Sequence, residues 1–329
     1  MALRLGKTLW VGDGGGGKGA FSAGAIKRAC ESNIPMDKAL GVSVNTLNFS
    51  EYIASGNTTG LEKNWRNLER AGKNALFDRR DIKWRFASKN SIFTDAGLKN
   101  LIYGKPKKNP KDVEILGIDA KALVTSPIEF QFAVYKETKE GHLYTLISNH
   151  EERFMENPEL ILPFLQASCS FGGAMPPVKI DGEYYSDGLY PTLETKLADG
   201  CDTIIIFLND QPITADPETT MWYNRIMNPF DSAHDRVMEK EVKDFLKEHK
   251  DFTLVDGKSP LPLAKRIMSF FTSFVQGEDL NLVPHRIIQV APKKVISGLT
   301  TLGFEPGNIT EAIEHGYECM DEILKDLDK

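Results

Sequence analysis

Three short stretches of this chain hold residue types that could do chemistry. The first, Gly12-Asp13-Gly14-Gly15-Gly16-Gly17-Lys18-Gly19, is a glycine run directly ahead of a segment with helical spacing. Such a loop offers backbone N–H groups and the positive end of a helix to an anion. The anion could be a phosphate or an oxyanion, and glycines also serve tight turns and close helix packing with no ligand at all. As a P-loop the run matches G-x-x-x-x-G-K, but Gly19 stands where a Ser or Thr would bind magnesium, and no apolar run ending in Asp follows as a Walker-B strand. The second stretch, Gly41-Val42-Ser43-Val44-Asn45, puts a serine at a strand-to-helix turn. A hydroxyl there is either a helix N-cap or a nucleophile raised above the sheet. Four of the five G-x-S-x-G requirements are met, with Asn45 in place of the last glycine. A nucleophilic serine needs a base. Of two Asp-Gly pairs, Asp181-Gly182 reads as a hairpin turn, and Asp187-Gly188 as either a carboxylate pointing into a site or a turn aspartate. His234, His285 and His315 follow Asp187 in the chain order of a Ser-Asp-His triad, but none lies in a motif.

Periodicity predicts the elements that position these residues. Leu9 to Val11 is an apolar run that stops at the glycines, and Ala20 to Cys30 has apolar residues at helical spacing. A turn at Asn33-Ile34-Pro35, a second apolar run at Ala39 to Val42 and a helix from Ser43 to Ser55-Gly56 repeat the pattern. Two such units in succession predict parallel strands with helical crossovers, and both loops at one edge of the sheet, where strands end and helices begin. Strands are also predicted at Ala122 to Thr125, Phe130 to Tyr135, His142 to Ile147, Val178 to Ile180 and Thr203 to Leu208, with Lys139-Glu140-Gly141 and Asp181-Gly182 as turns. Leu61 to Leu101 and Pro158 to Ser168 read as helical. From Gln211 the composition shifts to charged helical segments, with a strand-like Ile287 to Ala291 and a helix around Thr310 to Leu327. The predicted organisation is a catalytic core over residues 1–210 and a mainly helical region over 211–329 packed on it.

Composition narrows the function. A chain of 329 residues, 41% of them hydrophobic, can bury a substantial core. The net charge of -6 and the lack of a Lys/Arg cluster argue against nucleic acid as a partner; Lys105 to Lys111 reads as a solvated loop. Cys30, Cys169, Cys201 and Cys319 show no C-x-x-C spacing, so neither a zinc site nor a disulfide framework is suggested, and a reducing compartment fits them. Arg4 and Lys7 interrupt the apolar N-terminus and no apolar run is long enough to span a bilayer, so a cytoplasmic protein is expected. Within Pro260 to Gln276, Leu263, Ile267, Met268, Phe270, Phe271 and Phe274 accompany Lys265 and Arg266. That composition suits an interfacial helix, although core packing is the simpler reading.

Together the three motifs resemble those of patatin-like phospholipases, which carry a G-G-G-x-K/R-G loop, a G-x-S-x-G elbow and a D-G-G/A motif in that order. Gly14 to Gly19 matches the first fully; Gly41 to Asn45 and Asp187-Gly188-Leu189 match the others except at the last position. The likeness extends to Leu47-Asn48, Ser55-Gly56, Ala167-Ser168, Pro176-Pro177-Val178, Asp181-Gly182, Pro191 and Gly200-Cys201-Asp202. It spans roughly Leu9 to Asp210, with a weaker match at His315-Gly316-Tyr317. The resemblance implies a three-layer α/β/α sandwich with a mostly parallel sheet and a C-terminal helical extension. It also implies a serine acyl hydrolase that works through a Ser-Asp dyad, with no metal or organic cofactor. Ser43 would attack the ester of an acyl lipid, Asp187 would take its proton, and Gly15, Gly16 and Gly17 would form the oxyanion hole. Gly14, Lys18, Gly19, Gly41 and Gly188 would support the motifs, Lys18 by steadying the loop or an anionic substrate. The implied partner is an acyl lipid, met in transient contact with a membrane surface. Asn45 and Leu189 keep a second reading alive, a catalytically impaired relative that binds lipid, and the glycine loop a third, a nucleotide-binding protein.

Overall fold

The computed structural model describes residues 5–72, 91, 94–105, 114–172, 174–189, 191–193, 195–210, 237–256, 285–299 and 307–327. Among them are nine strands: β1 (Thr8–Gly12), β2 (Lys38–Gly41), β3 (Glu129–Thr138), β4 (Gly141–Ser148), β5 (Val178–Ile180), β6 (Glu183–Asp187), β7 (Thr203–Phe207), β8 (Thr253–Asp256) and β9 (Arg286–Val290). They form one sheet in the order β5-β6-β3-β2-β1-β7-β9-β8, with β4 also on β3. The run from β3 through β2, β1, β7 and β9 to β8 is parallel, while β4, β5 and β6 are antiparallel additions. The helices are α1 (Ala20–Glu31), α2 (Val44–Ser55), α3 (Thr59–Ala71), α4 (Ala96–Tyr103), α5 (Ala120–Thr125), α6 (Glu152–Glu156), α7 (Ile161–Ser168), α8 (Thr195–Ala198), α9 (residues 237–248) and α10 (Asn308–Leu327). This is the expected α/β architecture, a mostly parallel sheet flanked by helices.

The central strands are buried on both faces, as the unbroken apolar runs require. Every residue of β1 and β7 is buried, and alternate side chains feed two cores. Trp10, Ile205, Phe207 and Ile288 join the larger core with α1, α2 and α10; Leu9, Val11, Ile204, Ile206 and Ile287 join the smaller one with α8 and α9. α10 lies against α1 at a glycine crossing. A Cβ on Gly316 would run into the carbonyl oxygen of Phe21, and one on Gly24 into that of Ile313. The likeness noted at His315-Gly316-Tyr317 thus coincides with a close approach of two helices.

Two sequence expectations are corrected. Ala122 to Thr125, predicted as a strand, lies in α5: the Asp119 carboxylate caps the helix by accepting from the Ala122 N–H at 2.9 Å. That cap, with Ala120 and Ala122, outweighs a short apolar run with one β-branched pair. Thr253–Asp256, inside a stretch predicted to be helical, is a strand that pairs with β9. Its Thr-Leu-Val sequence favours a sheet edge over a helix. The segment Pro260 to Gln276 and His234 lie outside the described residues.

One feature of β3 places the site. β4 occupies one edge of β3, and β2 and β6 share the other edge end to end. β2 ends with Gly41 opposite Phe132, and β6 ends with Asp187 opposite Val134. The ends of these strands therefore meet over neighbouring rungs of β3, roughly 7 Å apart at the rise of an extended chain.

Candidate active site

Ser43 sits where β2 hands over to α2. Its backbone has φ 52° and ψ −123°, a conformation that L-residues rarely adopt and that costs on the order of 1–3 kcal/mol. The turn is held from behind: Val42 N–H donates to Gly12 O at 3.0 Å, and Thr46 N–H donates to Ser43 O at 2.9 Å. Gly41 is needed because a Cβ there would come within 2.8 Å of the Thr46 Cα. Ser43 occupies the N-cap position of α2, yet its hydroxyl makes no capping bond. The capping alternative is thereby set aside, and Ser43 lines a cavity.

Asn45, the departure from the elbow pattern, has a physical account. In that pattern the last glycine lets strand and helix approach closely; here Gly12 on β1 does so, since a Cβ on Gly12 would lie 2.5 Å from the Asn45 Cβ. The Asn45 amide then anchors the glycine loop. Its Nδ2 donates to Asp13 O (2.7 Å) and Ser22 Oγ (3.1 Å), and its Oδ1 accepts from Asn48 Nδ2 (2.9 Å). Asn48 in turn accepts from the Trp65 indole N–H. The other side of the loop is held by Asn209, which follows β7 and donates to the carbonyls of Asp13 and Gly14. Lys18 is buried and ion-paired with Asp210 at 2.9 Å, which ties the glycine loop to the segment after β7. A P-loop lysine would reach a phosphate instead. Asn209 and Asp210 were not singled out from sequence; the available signal was their place directly after a fully apolar strand in a parallel sheet.

The glycine run turns through Gly15 (φ 127°) and Gly16 (φ 54°) into a 3-10 turn, Gly16–Gly19, that leads straight into α1. The Gly14 N–H is bonded to Asp13 Oδ1 (2.7 Å) and the Lys18 N–H to Gly15 O (3.1 Å). The N–H groups of Gly15, Gly16 and Gly17 precede that first bonded donor of the turn, where helix starts leave donors for other partners. Gly16 and Ser43 line the same cavity. Gly19 allows the loop to lie on α2, because a Cβ there would overlap Val44.

Asp187, 3% exposed, ends β6. Its N–H donates to Ser170 O at 3.1 Å and its Oδ1 accepts from Leu189 N–H at 2.9 Å. Gly188 is pressed on Ala133, 2.5 Å from where its Cβ would be, and Leu189 takes φ 59°, the left-handed conformation natural to the glycine of the D-G-G pattern. The residues at and after the end of α7 tie the two motifs together. Ser168 Oγ donates to Ala133 O (2.8 Å) and accepts from Ser43 N–H (3.3 Å), and the Cys169 thiol donates to Ser43 O (2.9 Å). Burial, and secondarily the negative charge of Asp187, hold the Cys169 pKa well above the usual thiol value, so it is no thiolate nucleophile.

The described histidines that follow Asp187 are engaged elsewhere. His315 accepts from the N–H groups of Lys293 and Lys294, His285 pairs with Asp251 and Asp202, and His249 stacks on Phe245. Among the described residues no group of three or more His, Cys, Asp or Glu side chains is placed to hold a metal ion. The cavity at Ser43 has walls of Val44, Leu47, Leu61, Trp65, Leu98 and Met175 among others. Such a cleft suits an acyl chain far better than a nucleotide.

A family model described as patatin-like phospholipase matches residues 11–191. Among solved structures, VipD from Legionella pneumophila aligns with 15% sequence identity over 98% of this chain and 67% of that one, at a TM-score of 0.44. No curated protein sequence matches. The family match takes in the glycine loop, the Ser43 elbow and the Asp187 turn, and covers more than half of the 329 residues: the chain belongs to the patatin-like phospholipase family.

Proposed function

We propose that the protein is a serine acyl hydrolase that cleaves carboxylic esters of acyl lipids with Ser43 as nucleophile and Asp187 as its base. Membership of the family indicates a lipid hydrolase; the observation that carries the finer reading is the shared edge of β3, along which the end of β2 that leads into the Ser43 elbow lies beside the end of β6, with Ser43 making no cap bond and lining an apolar cavity. Asp187 accepts the Ser43 proton as Oγ attacks the ester carbonyl. The oxyanion that forms is held by the N–H groups of Gly15, Gly16 and Gly17, a type of contribution worth roughly 3 kcal/mol per donor. Proton return through Asp187 releases the alcohol, and water then takes the acyl group from Ser43 by the same route. Neither departure from the family motifs lines the cavity, which favours an active enzyme over an impaired lipid-binding relative. The substrate is met at a lipid surface in transient contact; no helix among the described residues is long and apolar enough to cross a membrane. The four cysteines are free thiols, which suits the cytoplasm.

Hydrolysis of p-nitrophenyl butyrate by wild type, Ser43→Ala and Asp187→Asn tests the dyad, with folding checked by thermal melt. Wild type is expected to turn over the ester and to be labelled by a fluorophosphonate at Ser43, with both variants folded and inactive. Unchanged turnover in Ser43→Ala would sink the assignment.

A further inference from the structure

The cavity that opens at Ser43 runs along α2, and Ser43, Leu47 and Glu51 all line it, one helical turn apart. Most of its wall is apolar, and its amides are satisfied: Asn48 by Gly19 O, Asn45 and Trp65, and Asn64 by both backbone groups of Leu116. Glu51 differs. It is 9% exposed, on the cavity wall, and among the described residues its carboxyl group makes no hydrogen bond or ion pair. Gly60, in the first turn of α3, leaves it room, since a Cβ there would overlap Glu51 Oε1. No other charged residue lies on α2. On α3, Glu62 is bound to Lys27 and Arg66, Lys63 to Glu114, Glu69 to Thr310, and Arg70 to Asn67. On α4, Lys99 is bound to Asp95. With no charged partner among the described residues, burial pushes the Glu51 pKa up to about 7.

A carboxyl group in an apolar wall, with water as its one partner among the described residues, is costly to ionise, and a ligand that enters the cavity and displaces that water must supply the hydrogen bond in its place. A hydroxyl suits both forms of the group, because it donates to a carboxylate and accepts from a carboxylic acid. An ammonium needs the ionised form and loses its hydration among apolar walls; a ketone needs the protonated form. From Ser43 to Glu51 is roughly 12 Å along α2 at 1.5 Å per residue, so the group that bonds Glu51 lies partway down a long acyl chain.

We propose that Glu51 determines acyl specificity: its carboxyl group bonds a hydroxyl carried on the acyl chain, which makes hydroxylated acyl esters the preferred substrates. This rests on the reading of Ser43 as the nucleophile at the mouth of the same cavity, so the test includes a measurement that does not need turnover. The substrates are the p-nitrophenyl esters of ricinoleic and oleic acids, identical but for one hydroxyl partway along the chain. Wild type is expected to favour the ricinoleoyl ester in kcat/KM by about tenfold, the equivalent of one net hydrogen bond. Glu51→Leu loses that ratio and Glu51→Gln keeps part of it, a pattern that a general loosening of the fold does not produce. In parallel, the affinities of free ricinoleic and oleic acids for Ser43→Ala and Ser43→Ala/Glu51→Leu are read by calorimetry. If wild type cleaves no ester, including the butyrate, the hydrolase reading fails and the binding ratio alone decides. Equal affinity for the two acids, or a preference that survives Glu51→Leu, overturns the assignment of Glu51.

Discussion

Replacing Glu51 by Gln keeps the size and hydrogen-bonding capacity of the side chain and removes only its titration, so it isolates the cost of a buried carboxylate. The native carboxyl has its pKa at about 7 where the ordinary value is 4.5. The folded chain therefore holds this proton more tightly than the unfolded chain does. Stability from this group is complete below about pH 4.5, falls as pH rises, and reaches its lower plateau above pH 7. Each pH unit between the two pKa values is worth about 1.4 kcal/mol. The part of this loss between about pH 5 and pH 8 comes to about 2 kcal/mol once water at the cavity mouth is allowed for. Urea denaturation of wild type and Glu51→Gln at those two pH values reads it directly. The variant is expected to gain about 2 kcal/mol relative to wild type on going from the lower to the higher pH. Parallel pH dependence in the two proteins would refute the claim that the carboxyl is desolvated, and with it the premise that Glu51 waits for a ligand.

Three further outcomes follow from the packing behind the site. Asn45→Ala removes three buried hydrogen bonds, to the glycine loop at Asp13, to α1 at Ser22 and within α2 at Asn48, and is expected to cost about 3 kcal/mol in denaturant unfolding; a loss under about 1 kcal/mol would show that the network is loose. Lys18→Met leaves the Asp210 carboxylate without its buried cation and should destabilise by about 3 kcal/mol, with most of that recovered by adding Asp210→Leu. If the double variant is no more stable than the single, the pair is not the unit holding the loop. Gly316→Ala drives a methyl group into the Phe21 carbonyl and should lift α10 from α1, read as a cost of about 3 kcal/mol or more and early proteolysis at the C-terminal helix. Wild-type protease resistance in this variant would contradict the close crossing.

Much of this protein is legible in its sequence because much of it is local. A glycine run before a helix, a serine between an apolar run and a helix, and an Asp-Gly after a strand are each set by neighbours within a few residues, and the strands β1, β2 and β7 follow from apolar runs that only a buried parallel sheet accommodates. One misreading was local too, since at α5 a capping aspartate decided between helix and strand; the other was not, since at β8 pairing with β9, from a later segment of the chain, decided it. What the tertiary structure alone decided is long-range. β2 and β6 come from segments far apart in the chain, and only their end-to-end pairing on one edge of β3 brings Gly41, two residues before Ser43, and Asp187 to neighbouring rungs. The fit of Asn45 depends on Gly12 across the β1–α2 contact, and the anchoring of the loop on Asn209 and Asp210. Glu51 reads in sequence as one more charge on a helix; the packing of α3 at Gly60 beside its carboxyl makes it a buried group without a protein partner among the described residues. Hydrophobic pattern specifies which face of an element is buried, but the identity of the atoms it meets is a property of the packed whole.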